Sequence, residues 1–310
     1  MDCYHRPVLL EETINGLNIK ADGIYVDCTV GGGGHSKEIL KKLNSSGRLI
    51  AIDQDEEALK EAQENLFDYG DQVTFVKSNY SHLDSILDSL GLDKVDGILM
   101  DIGVSSHQLD EESRGFSYRF DAPLDMRMDL DSDLTAKYIV NNYSQEDLEY
   151  ILWNYGEEKW GKRIAEFIVE ARQDKEIETT FDLVEILKNA IPKKARLNKH
   201  PGKKTFQALR IEVNKELDVL ENTIDVAVDK LNRNGRLAII TFHSLEDRIV
   251  KNKFKDLAKG CVCPPDFPVC VCNKVREIKI INRKPITASE EELEVNNRAK
   301  PAKLRIGLKL

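Results

Sequence analysis

The chain has 310 residues, 41% of them hydrophobic and 32% charged, and a formal net charge of -9. That length supports one large domain or two ordinary ones around a proper apolar core, and the composition excludes a disordered or fibrous chain. No apolar run reaches the roughly 18 residues that span a membrane, and the amino terminus lacks the charged-then-apolar layout of a signal peptide.

The first hundred residues alternate strand-like and helix-like patterns. Short apolar runs at 24–28, 49–53, 73–76 and 97–101 read as strands. Between them, 36–43, 55–69 and 81–90 carry a helical period, the last opening on Ser81-x-x-Asp84 as a capping box. Strands without polar alternation, separated by helices, predict a parallel sheet covered on both faces. From about 103 to 234 no strand pattern is visible; a polar, Asp-rich stretch at 115–133 leads into helical patterns at 144–153, 159–173, 181–190 and 205–230. The strand pattern resumes at 237–242, and 277–282 and 304–309 are further strand candidates. The expected architecture is an α/β sheet domain, 1–104 and 217–310, with a helical domain, 105–216, inserted between its fourth and fifth strands. The six cysteines, in a protein expected to be cytoplasmic, are expected to be reduced thiols or metal ligands.

The charge is unevenly spread. No acidic residue falls within 186–211, whereas Lys188, Lys193, Lys194, Arg196, Lys199, Lys203, Lys204 and Arg210 do. A local patch of this kind can grip phosphate on a protein that is acidic overall, although a solvated loop has the same composition.

Asp27-Cys28-Thr29-Val30-Gly31-Gly32-Gly33-Gly34-His35-Ser36 joins the first strand to the first sheet helix. Consecutive glycines allow positive φ and close approach of backbone to a ligand, and a helix N-terminus offers unpaired N–H groups. Asp53 ends the second strand, where doubly wound folds place an acid on ribose hydroxyls, so a nucleoside is expected. Ser36 replaces the third glycine of the dinucleotide fingerprint, and the acid Asp27 precedes the loop. A nucleoside carrying an ammonium and a carboxylate but no phosphate, such as S-adenosyl-L-methionine, suits that mixture better than a nicotinamide dinucleotide, which the loop alone still permits.

Asp101-Ile102-Gly103-Val104-Ser105-Ser106-His107-Gln108-Leu109-Asp110 follows the fourth strand. Together with Arg114-Gly115-Phe116-Ser117 and Asp121-Ala122-Pro123-Leu124-Asp125-Met126-Arg127-Met128-Asp129 it closely resembles the bacterial 16S rRNA (cytosine-N4)-methyltransferase family. Further matches are His5-Arg6-Pro7-Val8-Leu9, the stretch His200-Pro201-Gly202-Lys203-Lys204-Thr205-Phe206-Gln207-Ala208-Leu209-Arg210, Phe242-His243-Ser244-Leu245-Glu246-Asp247-Arg248 and Asn297-Arg298-Ala299-Lys300, so the likeness runs nearly end to end. The resemblance implies a Rossmann-like S-adenosylmethionine-dependent methyltransferase sheet with a helical insertion acting as RNA-recognition domain. It implies cofactor contacts at Gly33, Gly34, His35, Asp53, Tyr80, Asp101 and Gln108, and as substrate a decoding-centre cytidine of 16S rRNA in the small ribosomal subunit, with no DNA and no membrane partner expected. Enzymes that methylate N4 of cytosine in DNA carry Pro-Pro-Tyr after their acid or Asn/Ser, where this chain has Ile102-Gly103-Val104, so their base-binding geometry does not transfer.

Asp101 is the first candidate to accept the proton from the cytosine amine, a role that competes with holding the cofactor's ammonium. Arg114, Arg127 and the neighbouring aspartates are candidates for a base pocket, and His243 and Ser244 for base contacts, though a lone histidine at a strand end is more often structural. A non-catalytic RNA-binding assembly factor, or a methyltransferase of another nucleic acid, is the rival reading. Finally, Cys261, Cys263, Cys270 and Cys272 form two Cys-x-Cys pairs around a proline-rich turn; four such thiols can hold a structural zinc ion or simply pack in a loop.

Overall fold

The structure is a computed structural model that describes residues 7–197, 200–263, 269 and 271–310. The chain divides into two compact units, Met1–Gly103 with Leu217–Leu310, and Val104–Glu216. In the first unit the elements run α1 (Leu10–Leu17), β1 (Ile24–Asp27), α2 (Gly34–Leu40), β2 (Arg48–Asp53), α3 (Glu56–Asn65), β3 (Val73–Lys77), α4 (Leu83–Ser89) and β4 (Val95–Asp101). The second unit follows with α5 (Ser106–Asp110), α6 (Ala136–Asn142), α7 (Gln145–Asn154), α8 (Gly161–Asp174), α9 (Thr180–Ala190) and α10 (Gly202–Asn214). The chain then completes the first unit with α11 (Glu216–Asp229), β5 (Leu231–Thr241), α12 (Ser244–Leu257), β6 (Ile278–Ile280), α13 (Glu290–Val295) and β7 (Lys303–Lys309).

The seven strands form one sheet in the order β3-β2-β1-β4-β5-β7-β6. Neighbours from β3 to β5 are parallel, whereas β7 runs antiparallel to both β5 and β6. This is the α/β fold expected, and the strand runs lack polar alternation because both faces are covered. Val26, Ile50, Ile52, Ile98, Met100 and Ile239 face one apolar cluster, shared with Leu220 and Ile224 of α11 and Phe254 of α12. Their neighbours Tyr25, Leu49, Ala51, Leu99, Ala238 and Ile240 face the other, shared with Leu17 of α1, Ile39 of α2 and Leu59 of α3. Burying residues of both parities removes the period-2 signal and leaves solid apolar runs.

Several local expectations are corrected. Ser81 does not cap α4: the Asn79 side chain accepts from the Ser81 amide at 2.9 Å, and His82, at the N-cap of α4, makes no side-chain capping bond. The single helix expected at 205–230 is two, because Lys215 takes φ 50° and stops α10. The strand expected at 237 starts at Leu231 and passes an irregularity in its register against β4 before reaching Arg236. Helices α1, α5, α6 and α13 are not anticipated by the sequence pattern.

The second unit is held by its own apolar cluster, including Ile139 of α6, Leu148 of α7, Ile164 of α8, Leu183 of α9 and Leu209 of α10. Its polar opening stretch is organised by the two arginines. Arg114 donates to the carbonyls of Arg127 and Met128, and Arg127 forks onto Asp125 with bonds of 2.9 and 2.8 Å while also reaching the carbonyls of Leu130 and Ser132. These bonds shape this loop.

Candidate active site

In a doubly wound sheet the strands on either side of a reversal in order leave a crevice at their carboxyl ends. Here that point lies between β1 and β4, and Asp27 and Asp101 are the last residues of those strands. Asp27 is buried and accepts from the Thr29 amide at 3.2 Å and the Ser36 hydroxyl at 2.8 Å. Burial pushes its carboxyl up to about 6 against those two bonds. Thr29 also links the strands, its hydroxyl accepting from the Asp101 amide at 2.8 Å.

The glycine loop closes over this edge. Gly33, with φ 82°, is the N-cap of α2, a conformation that a Cβ would strain. Gly34 begins the helix, and a Cβ there would stand 2.2 Å from Cγ of Pro7. The Gly31 amide donates to Asp53 Oδ2 at 2.9 Å, and the Asp55 amide to Asp53 Oδ1 at 3.0 Å. Burial outweighs these two bonds and pushes Asp53 up to about 6. Two accepted amides leave each carboxylate oxygen a further lone pair, which suits vicinal hydroxyls.

Asp101 is the least satisfied group of the edge. Its Oδ1 is buried without a hydrogen-bond partner, and its Oδ2 lies 3.7 Å from His35 Nδ1. His35 is itself buried, with Nε2 3.0 Å from the carbonyl of Val8. A carbonyl only accepts, so Nε2 carries the hydrogen and Nδ1 is the atom turned to Asp101. Burial, then the charges of Asp27 and Glu246, push Asp101 well above the usual carboxylate range. A set of crowded acids with one unpartnered oxygen is a place for a cation or a proton.

Glu246 was missed in the sequence. It is fully buried in the first turn of α12, accepting from the amides of Phe242 at 2.8 Å and His243 at 3.2 Å. Its signal was the three-residue step from His243 to Glu246, a capping box in which the histidine takes the usual place of Ser or Thr. His243 accordingly serves as the N-cap of α12, with Nε2 3.0 Å from Glu246 Oε1.

Gly33, Gly34, His35, Asp53 and Asp101 thus share one sheet edge. Tyr80 follows β3, is 8% exposed, and sits in the apolar cluster with Ile52 and Ile102. Gln108 belongs to the second unit, where it is buried and completes the α5 capping box with Ser105 through two bonds of 3.1 Å. Cys261, Cys263 and Cys272 lie together at the far end of α12, and Cys270 falls outside the described residues.

Sheet order, antiparallel seventh strand and glycine loop with acids at the carboxyl edge define a methyltransferase of Rossmann-like fold. The sequence comparison is specific. The MraW methylase family profile matches residues 2–310. Ribosomal RNA small subunit methyltransferase H of Clostridium botulinum (strain 657 / Type Ba4) is 61% identical over 310 residues, covering all of both chains. The protein of the same name from Finegoldia magna (strain ATCC 29328) is 59% identical over 312 residues, again covering all of both chains. The chain belongs to the MraW methylase family, and it is a methyltransferase.

Proposed function

We propose that the chain uses S-adenosyl-L-methionine to methylate N4 of a decoding-centre cytidine in the 16S rRNA of the small ribosomal subunit. The observation that carries this reading is the buried, unpartnered Oδ1 of Asp101 beside two other buried acids and the glycine loop. The edge fits such a cofactor on three counts. Asp101 offers an acid to its ammonium, Asp53 offers lone pairs to the ribose hydroxyls, and the turn through Gly33 and Gly34 closes the same edge, where the family resemblance puts the methionine end. Tyr80 would lie by the adenine and Gln108 would supply amide hydrogen bonds, as the family resemblance implies. When bound, the cofactor supplies a methyl carbon activated by its sulfonium.

The protein's task is then to present the amine and dispose of its proton. The lone pair of a cytosine amine is delocalised into the ring, so an acceptor bonded to its hydrogens raises its nucleophilicity. Asp101 Oδ1 is the candidate acceptor, a role that competes with holding the ammonium. Burial, then the charges of Asp27 and Glu246, make it a stronger base than an exposed carboxylate, which favours uptake of the released proton. Holding the amine in line at roughly 3–3.5 Å supplies much of the remaining acceleration. The target base must be unpaired or turned out of its stack to reach the edge.

The second unit supplies the RNA grip. Lys193, Lys194 and Lys203 are exposed there. Arg210, by contrast, is held bidentate by Glu216 at 2.8 Å on both arms, and Lys204 donates to the carbonyl of Glu157. The basic patch is therefore smaller than the sequence suggests. A cytoplasmic site of action is part of the same proposal; among the described residues no helix is long and apolar enough to cross a membrane.

Labelled S-adenosylmethionine, this protein and small ribosomal subunits from cells lacking the activity test the reading. Label mapped by nuclease digestion and mass spectrometry to N4 of one cytidine is the expected result. Label elsewhere in 16S rRNA overturns the site. No transfer to subunits or 16S rRNA, with cofactor binding intact, overturns the substrate and favours another nucleic acid or a non-catalytic assembly role.

A further inference from the structure

The connection from Leu257 of α12 to Ile278 of β6 contains no helix or strand among its described residues. Loops longer than about 12–15 residues without structure of their own are uncommon in compact domains unless something ties them. The apolar core does not do so here, since Val262, Val269, Val271 and Val275 are all more than half exposed. The ends are fastened by hydrogen bonds: Glu277 N–H donates to the Leu257 carbonyl at 2.9 Å, and the Arg276 side chain, through Nε, to the Ala258 carbonyl at 2.9 Å. Between those ends three thiols converge.

The sulfurs of Cys261, Cys263 and Cys272 all lie within 4.8 Å of one another, and those of Cys261 and Cys272 are 3.8 Å apart. Sulfurs bound to one zinc at about 2.3 Å and at tetrahedral angles stand about 3.8 Å apart. A disulfide needs about 2.05 Å, so this separation is a coordination distance and not a bond. Backbone amides point at each sulfur: Cys263 N–H at Cys261 Sγ, Val262 N–H at Cys272 Sγ and Val271 N–H at Cys263 Sγ, all at 3.4 Å. An amide donated to sulfur favours the thiolate, the form that binds metal. The first Cys-x-Cys step makes this possible, because it folds the chain back over Cys261.

We propose that Cys261, Cys263 and Cys272 form a thiolate site for a structural zinc ion that closes the α12–β6 connection. Three soft thiolates within 4.8 Å of one another select zinc over magnesium or calcium, which take oxygen ligands. The role is structural because the site stands at the opposite end of α12 from His243 and Glu246. Most of α12, a helix of 14 residues, lies between them, about 16 Å of axial rise from Glu246 to Leu257. The ion would replace apolar burial as the tether of a segment whose valines face solvent. The inference does not depend on the methyl-transfer reading, since its readout is metal and not activity.

The test uses the full-length protein, purified under reducing conditions without chelator. Elemental analysis should find about one zinc per chain, and Cys261→Ser and Cys272→Ser should each reduce it at least about tenfold, while Cys28→Ala should not. Cobalt(II) added to chelator-stripped wild-type protein should give the intense near-ultraviolet thiolate-to-metal band and the visible bands of a tetrahedral site. Stripping should also make the segment between Leu257 and Ile278 the first site of proteolysis, with zinc restoring resistance. Zinc-free protein that takes up neither zinc nor cobalt overturns the proposal, as does peptide mapping that finds these cysteines disulfide-bonded in protein taken directly from cells. If the serine variants fail to fold, the stripping and cobalt measurements on the wild type still decide between these outcomes.

Discussion

At the scale of single residues, the two roles proposed for Asp101, proton acceptor and partner of the cofactor's ammonium, can be separated by a substitution. Asn keeps the shape of Asp101 and removes its charge and its basicity. Loss of a charge-assisted bond to the cofactor would raise the cofactor Kd about 10–100-fold, and loss of the proton acceptor would lower kcat about 10²–10⁴-fold at saturating cofactor. Equilibrium binding of cofactor, measured beside steady-state rates of Asp101→Asn, apportions the two; unchanged Kd together with unchanged kcat removes Asp101 from both roles. Asp27 is a cleaner probe of burial, being 1% exposed. Its folded carboxyl titrates at about 6 against the usual 3.8. A group raised on folding stabilises the native state below its unfolded value, and that contribution is lost as pH rises through the folded value. The ligand-free protein should therefore lose up to about 2–3 kcal/mol from this residue between about pH 4 and pH 7. Denaturant unfolding of wild type and Asp27→Asn at pH 5 and pH 7.5 should show a difference that changes with pH; a constant difference refutes the shift. The acids at 27, 53 and 101 were legible as strand ends. Glu246 was not, because in sequence it is one glutamate of a charged helix start, and only the fold turns it inward.

At the scale of elements, solid apolar runs separated by amphipathic stretches were readable because burial of both faces leaves no other pattern. What escaped were features decided by tertiary contact. Lys215 breaks α10 from α11 without glycine or proline, its amine paired with the buried Glu212. The second half of β5 follows the expected pattern, yet the strand begins earlier, because Leu231 pairs with Val95 of β4 before the polar stretch at Asn232, Arg233 and Asn234 interrupts the register. The β1–α2 connection offers the sharpest test at this scale. Glycine is required at 33 by conformation and at 34 by space, so Gly34→Ala must displace either the Pro7 ring or the first turn of α2. Overpacking of this kind costs about 1–3 kcal/mol. The variant should show a lowered Tm and weakened cofactor binding together, measured by calorimetry with and without cofactor. A Tm and an affinity both equal to wild type would mean that this contact does not shape the loop.

At the scale of the whole molecule, an overall charge of -9 has to coexist with a polyanionic partner. Long-range attraction cannot come from net charge, so affinity must rest on a few local cations and be strongly screened by salt. The sequence showed the cluster but overstated it, since side-chain partners cannot be read from composition: Arg210 and Lys204 are used inside the second unit. Lys193, Lys194 and Lys203 are left as exposed ammonium groups, each able to release a counterion from a phosphate. Their contribution has a signature that a merely structural lysine lacks. For each lysine that contacts a phosphate, replacement by alanine should flatten the plot of log affinity against log salt by about 0.7–1. The triple variant should therefore bind small subunits more weakly at low salt and approach the wild type as salt rises. A filter-binding or sedimentation titration across a salt series measures this directly. A parallel downward shift with an unchanged slope would show that the three lysines act through the fold of the insertion, and the phosphate grip would have to be sought elsewhere.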